Sequence, residues 1–332
     1  MVSNRRNFLM GCSTAIAALA GARLGPLTFG APGSAGSNDV LVFVFLRGGM
    51  DGLSLVPPIA GEDRMHYEQA RPQIKIPVTG TNGALPLENG FGLHRSARGL
   101  ESLYFLGKMA VIHAVGASGS RSHFDAMRSI ELGTPGDKAL STGWLARHLR
   151  TAEALPKTIL LPALAVGSGT PTSLQGSTET VNVARLSDFG LSSIGHWSWA
   201  TGDQRTALRR LYARGSTPLH QAGVQALNAT GLIESQSVGT YKPSDGIIYP
   251  SGGFSEQLKL IAQLIKLQIG LRVATIDLGG WDTHETQGNQ QNGYFSNLVR
   301  TLSDGLTAFY NDLDRASSAG LTRRLTIVVQ SE

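Results

Sequence analysis

Asp39-Val-Leu-Val-Phe-Val-Phe-Leu46 is an unbroken β-branched and aromatic run. Its apolarity is continuous, not alternating, so both faces are buried, as in a central strand of a parallel sheet. Met109-Ala-Val-Ile-His-Ala-Val115, Leu271-Arg-Val-Ala-Thr-Ile-Asp277 and Leu325-Thr-Ile-Val-Val-Gln330 repeat the pattern and predict three more strands. Between them, Phe254, Leu258, Ile261 and Ile265 step at helical spacing, as do Phe295, Leu298, Val299, Leu302, Leu306, Phe309 and Leu313. Residues 97–107 and 124–132 also read as helices. Strands alternating with helices predict an α/β fold, a central, mostly parallel sheet with helices on both faces. The Gly/Ser/Thr-rich stretch 166–177 reads as a long loop, and no internal repeat divides the chain. A single domain is expected over 36–332.

Outward from the first strand toward the N-terminus, residues 1–35 read as a twin-arginine signal. Arg5 and Arg6 precede Phe8-Leu9, and a Gly/Ala-rich apolar stretch to Ala22 is too short to span a bilayer. Small residues around Gly30 to Ala35 suit signal-peptidase cleavage. The alternative, a buried N-terminal helix, fits these flanks less well. The expected address is periplasmic or secreted, by way of the twin-arginine export machinery, with no membrane span after cleavage. Cys12 is the only cysteine and leaves with the signal, so the mature chain has no disulfide and no thiol chemistry.

Cleavage also changes the charge. Residues 1–35 hold three arginines and no acid, so the formal +5 falls to +2. That is too weak and too evenly spread to argue for nucleic acid or an anionic membrane. Glycine, at 41 of 332 residues, is well above the roughly 7% average and predicts many turns hung on the scaffold.

In open α/β sheets, ligands bind beyond the carboxyl ends of the strands. The first strand ends in Arg47-Gly-Gly-Met-Asp51-Gly-Leu-Ser54, and the second leads to Ser120-Arg121-Ser122-His123-Phe-Asp125. The third ends in Gly280-Trp281-Asp282-Thr-His284-Glu285 and the fourth in Ser331-Glu332. Each has a plain reading: Asp51 bonds the backbone of a glycine turn, or it is a ligand. Asp282 and His284 form an Asx turn beside a surface histidine, or they supply oxygen and nitrogen to a zinc-like ion shielded by Trp281. Ser122 N-caps a helix, with Asp125 three residues on, or its hydroxyl is a nucleophile where helix N–H groups favour an anion. Arg121 offers a bidentate partner for phosphate or sulfate. Ser120 is the second candidate hydroxyl.

The remaining histidines read more simply. His94 lines the site or caps a turn, and His113 reads as a core group within a strand. His66, His148, His196 and His220 read as surface residues. No Gly-x-Ser-x-Gly, Gly-x-Gly-x-x-Gly or Walker sequence is present.

Leu46-Arg-Gly-Gly-Met-Asp-Gly-Leu53, Gly92-Leu-His94, Arg121-Ser-His-Phe-Asp125, Gly143-Trp-Leu145, Gly280-Trp-Asp-Thr-His284 and Ser331-Glu332 occur in that order. Together with the leader, they make the sequence resemble the bacterial exported family catalogued as domain of unknown function 1501, over essentially the whole chain. That family resembles the alkaline phosphatase and sulfatase superfamily. The resemblance implies metal ligands at Asp51, Asp282, His284 and Glu332, with Ser122, or Ser120, near the nucleophile position. It also implies that the chain is truncated at its C-terminus, because the family continues after Ser-Glu with Phe-Gly-Arg and a later Asp-His-Gly segment that supplies further ligands.

The expected function is therefore an exported, metal-dependent hydrolase of phosphate or sulfate esters. Its substrate would be a small anionic ester, and its cofactor two divalent ions, zinc by ligand type. The rival is a non-catalytic envelope protein that keeps the fold for binding or assembly. The leader generates a direct prediction: changing Arg5 and Arg6 together to Lys retains the protein in the cytoplasmic fraction. Cell fractionation checks this, and undiminished export would show that the arginine pair is no signal.

Overall fold

The computed structural model describes residues 39–116, 119–134, 140–151, 161–177, 180–184, 201–217, 241–285, 287–288, 293–315 and 320–332, with positions 220, 223–224, 227 and 231. The expected signal (1–35) and His196 lie outside the described residues. Five strands, β1 (Val40–Leu46), β4 (Ala163–Val166), β5 (Thr180–Val183), β6 (Val273–Leu278) and β7 (Leu325–Ser331), make one sheet in the order β5-β4-β6-β1-β7. Every pairing among them is parallel. A two-stranded antiparallel pair, β2 (Leu85–Pro86) and β3 (Gly92–Leu93), stands apart. The helices are α1 (Gly52–Leu55), α2 (Gly61–Ala70), α3 (Arg98–Phe105), α4 (His123–Leu132), α5 (Trp144–Thr151), α6 (Thr201–Ala213), α7 (Gly253–Lys266) and α8 (Tyr294–Arg315). None is long and apolar enough to cross a membrane.

The expected α/β architecture is present, and the reason is visible in β1. Successive side chains point to opposite faces of a strand. Val42, Val44 and Leu46 enter the larger core with Leu100 of α3, Leu258 and Ile261 of α7, and Val299 and Phe309 of α8. Phe43 and Phe45 enter the second core with Ile130 of α4 and Leu145 and Leu149 of α5. The two rings stack at 5.8 Å between centroids, and Trp144 meets Phe43 edge-on at 5.5 Å. A strand sandwiched in this way has no polar face to display, and its sequence shows none.

The predicted strand at 109–115 does not form. The segment is irregular, Ile112 and Val115 are 80% and 65% exposed, and Ala114 has a φ of 54°. Only Met109 and Val111 pack on the core, while His113 is exposed and stacks on Phe91 at 4.1 Å instead of being buried. β-branched composition favours a pleated, half-buried surface but supplies no ladder partner. Among the described residues, none pairs with this segment. The strands β4 and β5 escaped the sequence reading because each is only four residues long, β4 running straight into the Gly167-Ser-Gly turn and β5 following the Gly176-Ser-Thr stretch.

One polar cluster holds the helical layer together. Asp312 of α8 is fully buried. It accepts from Lys266 Nζ of α7 at 2.5 Å, from Tyr249 Oη at 2.9 Å, from the Ser244 backbone at 2.6 Å and from Tyr241 Oη. Burial opposes its charge, but these bonds outweigh burial and hold its carboxyl below the usual range. Burial, reinforced by Asp312, pushes both tyrosine hydroxyls upward. Removing one member of such a group leaves its partners unpaired. Asp312→Ala is expected to cost about 3–5 kcal/mol of stability, read as a lowered urea midpoint. A loss within the error of the measurement would show that the cluster is not holding α7 to α8.

Candidate functional site

The carboxyl ends of β1, β6 and β7 are drawn together by one glycine. Gly48, two residues past β1, has φ +118°, and a Cβ there would fall 2.4 Å from the Asp282 nitrogen and 2.9 Å from the Trp281 carbonyl carbon. Only glycine permits both the backbone angle and that approach. Its N–H donates to Glu332 Oε1 at 2.6 Å, tying β1 to the end of β7. Ser331 strengthens the same junction: its Oγ donates to the Leu46 carbonyl at 2.7 Å and accepts from Met50 N–H at 2.8 Å. On the β6 side, Trp281 N–H donates to the Arg47 carbonyl at 3.2 Å. The Trp281 indole is fully buried, edge-on to Phe295 at 5.6 Å, and floors the loop that carries Asp282 and His284.

Three ligand-type side chains converge above this junction. His123, Asp282 and His284 each present one ligand atom, and all three atoms lie within 4.8 Å of one another. Asp282 Oδ1 is 2.9 Å from His284 Nε2 and 3.7 Å from His123 Nε2, and the imidazole rings are 5.8 Å apart. Ligands at about 2.0–2.2 Å around a tetrahedral ion are separated by roughly 3.3 Å, so this spacing suits a zinc-sized cation without large rearrangement. Glu332 stands behind His123, with Oε1 3.2 Å from Nδ1. A carboxylate in that place fixes the ring so that Nδ1 carries the proton and Nε2 faces Asp282 with its lone pair. The Glu332 side chain is 2% exposed and its Oε2 has no partner among the described residues, an orphaned buried oxygen that also suits a neighbouring cation.

The sequence candidates therefore separate. Asp282, His284 and Glu332 come together, whereas Asp51 is engaged elsewhere. Asp51 caps α1, accepting from Ser54 N–H at 3.3 Å. Its Oδ2 also accepts from Ser54 Oγ at 2.6 Å, Arg71 Nη1 at 2.6 Å and Gln287 Nε2 at 2.9 Å. Burial opposes its ionisation, but Arg71, Ser54 and Gln287 outweigh that and hold its carboxyl below the usual range. Asp51 belongs to the framework under the site, joining β1's exit to the loop after His284.

His123 is the ligand-type side chain of the cluster that the sequence reading passes over, though it stands inside the Arg121-Ser-His motif. It is the first residue of α4, and Gly49 permits its approach: a Cβ at Gly49 would meet His123 Cε1 at 3.0 Å. Ser122 is the N-cap of α4 and its Oγ accepts from Asp125 N–H at 3.4 Å. Ser120 Oγ accepts from Ser122 N–H at 3.1 Å and donates to Asp125 Oδ2 at 3.4 Å. Arg121 is exposed. Arg47 was also missed: its Nε donates to Asp277 Oδ2 at 2.6 Å and its Nη2 to the buried Glu131 at 3.1 Å. Burial opposes the Arg47 charge, but those two carboxylates raise its pKa nonetheless.

His94 does not line the cluster. It is buried, its Nδ1 accepts from Ser96 N–H at 3.1 Å, and its Nε2 meets Ser296 Oγ at 3.4 Å. Burial, with help from Arg300, lowers its pKa from 6.5 to about 4. Comparison with protein-family models, curated proteins and solved structures finds no match to this chain.

His94 sets a pH dependence with a definite sign. Its folded pKa lies below its unfolded value, so the unfolded chain takes up the proton first. Stability from this group is complete above about pH 6.5 and falls by roughly 3 kcal/mol as pH drops toward 4. Urea midpoints across that interval should decline in the wild type, with most of the slope missing in His94→Asn. A wild-type midpoint that is flat between those values would contradict the assignment.

Proposed function

We propose that the chain is an exported, metal-dependent hydrolase of phosphate or sulfate esters. The observation that carries this reading is the convergence of His123, Asp282 and His284, with Glu332 orienting His123 from behind. Three protein ligands of mixed N and O type with open positions are the pattern of catalytic zinc sites, whereas closed four-ligand sites are structural. The same motifs carry the resemblance to the exported family named above. Among the described residues, the geometry favours one ion, because Asp51, the ligand expected for a second, is tied to Arg71.

When bound, a zinc-type ion supplies Lewis-acid polarisation of an ester oxygen. The chain's own residues supply the rest. Glu332 keeps the His123 Nδ1 proton in place, so that Nε2 remains a donor of electrons. Trp281 and the Gly48 junction hold Asp282 and His284 on a rigid floor. Arg121, exposed at the start of α4, pairs with the anionic group, and the free N–H groups of that helix end add to its attraction. Ser122 is the nucleophile in this reading, and Asp125, bonded to Ser120 on the same turn, is the nearby carboxylate available to a proton. Ester cleavage would then transfer the phosphoryl or sulfuryl group to Ser122 Oγ, the serine proton passing to the departing alcohol, and water would take the group from Oγ as inorganic phosphate or sulfate and restore the hydroxyl.

One contact favours a second reading. The Ser122 hydroxyl meets a backbone N–H and, among the described contacts, no base that would activate it. A binding or assembly module in the envelope, with the metal as a structural or recruiting element, fits that arrangement. Measured zinc content and hydrolysis across a panel of phosphate and sulfate esters separate the two. The hydrolase reading expects about one zinc per chain, lost in His284→Ala, and turnover reduced at least a hundredfold in Ser122→Ala with zinc retained. Zinc binding without hydrolysis of any ester favours the module. Unchanged zinc in His284→Ala removes that residue from the centre.

A further inference from the structure

We infer a second ligand site, separate from the metal cluster, in the crevice between the carboxyl ends of β4 and β6. The strand order makes this the point where connections diverge. From β4 the chain turns outward to β5 at one edge, while from β6 it passes through α8 to β7 on the far side of β1. Adjacent parallel strands whose connections leave in opposite directions open a crevice between their ends, and that crevice is where open α/β sheets take ligands. Here it is a cleft of about 230 Å³. One wall is the Gly167-Ser168-Gly169 turn after β4, and the other is Thr275 to Asp277 of β6. Gln257 of α7 closes the back.

The lining identifies the chemistry of the occupant. Its volume is below the roughly 300 Å³ at which pockets begin to hold drug-sized molecules, so it suits one ring-sized moiety. The glycine turn brings backbone to the surface with no side chain to fill the space, and Gly167 has a φ of +158° with nothing within 4 Å of a built Cβ. Ser168, Thr275 and Gln257 offer hydroxyl and amide groups that both donate and accept. Among the described residues, Asp277 is the only ionisable group of the lining. Arg47 Nε takes Asp277 Oδ2, leaving Oδ1 as an acceptor. The Arg47 charge is also shared with Glu131, so the three groups together carry a net negative charge. A site with hydroxyl partners and a surplus carboxylate favours a hydroxylated, amine-bearing ring such as an amino sugar and disfavours an anion. The anionic ester expected at the metal cluster is thus a different ligand chemistry.

Glucosamine is the probe, glucose its neutral control, and sulfate the contrast, since the amino end of α7 near Gln257 would attract an anion if helix polarity outweighed Asp277. Titrations followed by backbone amide NMR should show saturable shifts at Gly167, Ser168 and Gly169, with glucosamine binding most tightly, glucose less tightly and sulfate not at all. Asp277→Asn should weaken glucosamine about tenfold and glucose little, consistent with a lost charge-assisted bond. Gln257→Ala, at the back of the cleft and outside the Arg47 cluster, should weaken both, and it serves if Asp277→Asn disturbs the fold. His284→Ala should leave glucosamine binding unchanged, which separates failure of the metal reading from failure of this one. Absence of saturable shifts in the folded wild type, or tighter binding of sulfate than of glucosamine at the same amides, would overturn the inference.

Discussion

The contact between the turn after β1 and the loop after β6 is the constraint on which the rest of the site depends. Gly48 lies against the Asp282 nitrogen with no room for a methyl group, and its N–H is spent on Glu332. Three strand ends are thereby fixed relative to one another by backbone, which is stiffer than any side-chain contact. Asp282 and His284 inherit their position from that approach, and Glu332 inherits its burial. His123 is then held against Glu332 and over Gly49, so the cluster is assembled from four separate parts of the chain without any of its members being a rigid element alone. In an arrangement of this kind the supporting contacts, not the ligand-type side chains themselves, set the spacing, as a metal site would require.

The two faces of the sheet serve this junction differently. The larger core, with α3, α7 and α8, contains Trp281 and Phe295 and so anchors the β6 loop from beneath. The second core, with α4 and α5, fixes the helix whose first residue is His123. Phe43 and Phe45 lie in one core while Val42 and Val44 lie in the other, so β1 couples both layers to the turn at Gly48. Arg47 extends the coupling sideways through Asp277 to the crevice at β4, and through Glu131 to the end of α4.

Much of the fold was legible because its strongest elements announce themselves locally. The runs that became β1, β6 and β7 are rich in β-branched and apolar residues, and α7 and α8 carry long helical periods. The segment 109–115 is mostly apolar, as β1 is, yet has no ladder partner among the described residues, and composition cannot report a partner. β4 and β5 are too short to generate a period. Within the site, Asp282, His284 and Glu332 stood out because each follows a strong strand. Asp51 has the same credentials, but Arg71, Ser54 and Gln287, which reach it from 3 to 236 residues away, decide its role, and only the folded chain reveals them. His123 was overshadowed by the serine beside it. The available signal was its place beside Ser122 in the same motif, an imidazole among the other candidate groups.

The most direct test of the account is zinc-edge anomalous diffraction from crystals of the full chain grown with zinc. The account predicts one strong peak bonded to His123, Asp282 and His284, at about 2.0–2.2 Å from each. A peak coordinated by Asp51, or no peak at the three-residue cluster in zinc-replete crystals, would contradict it.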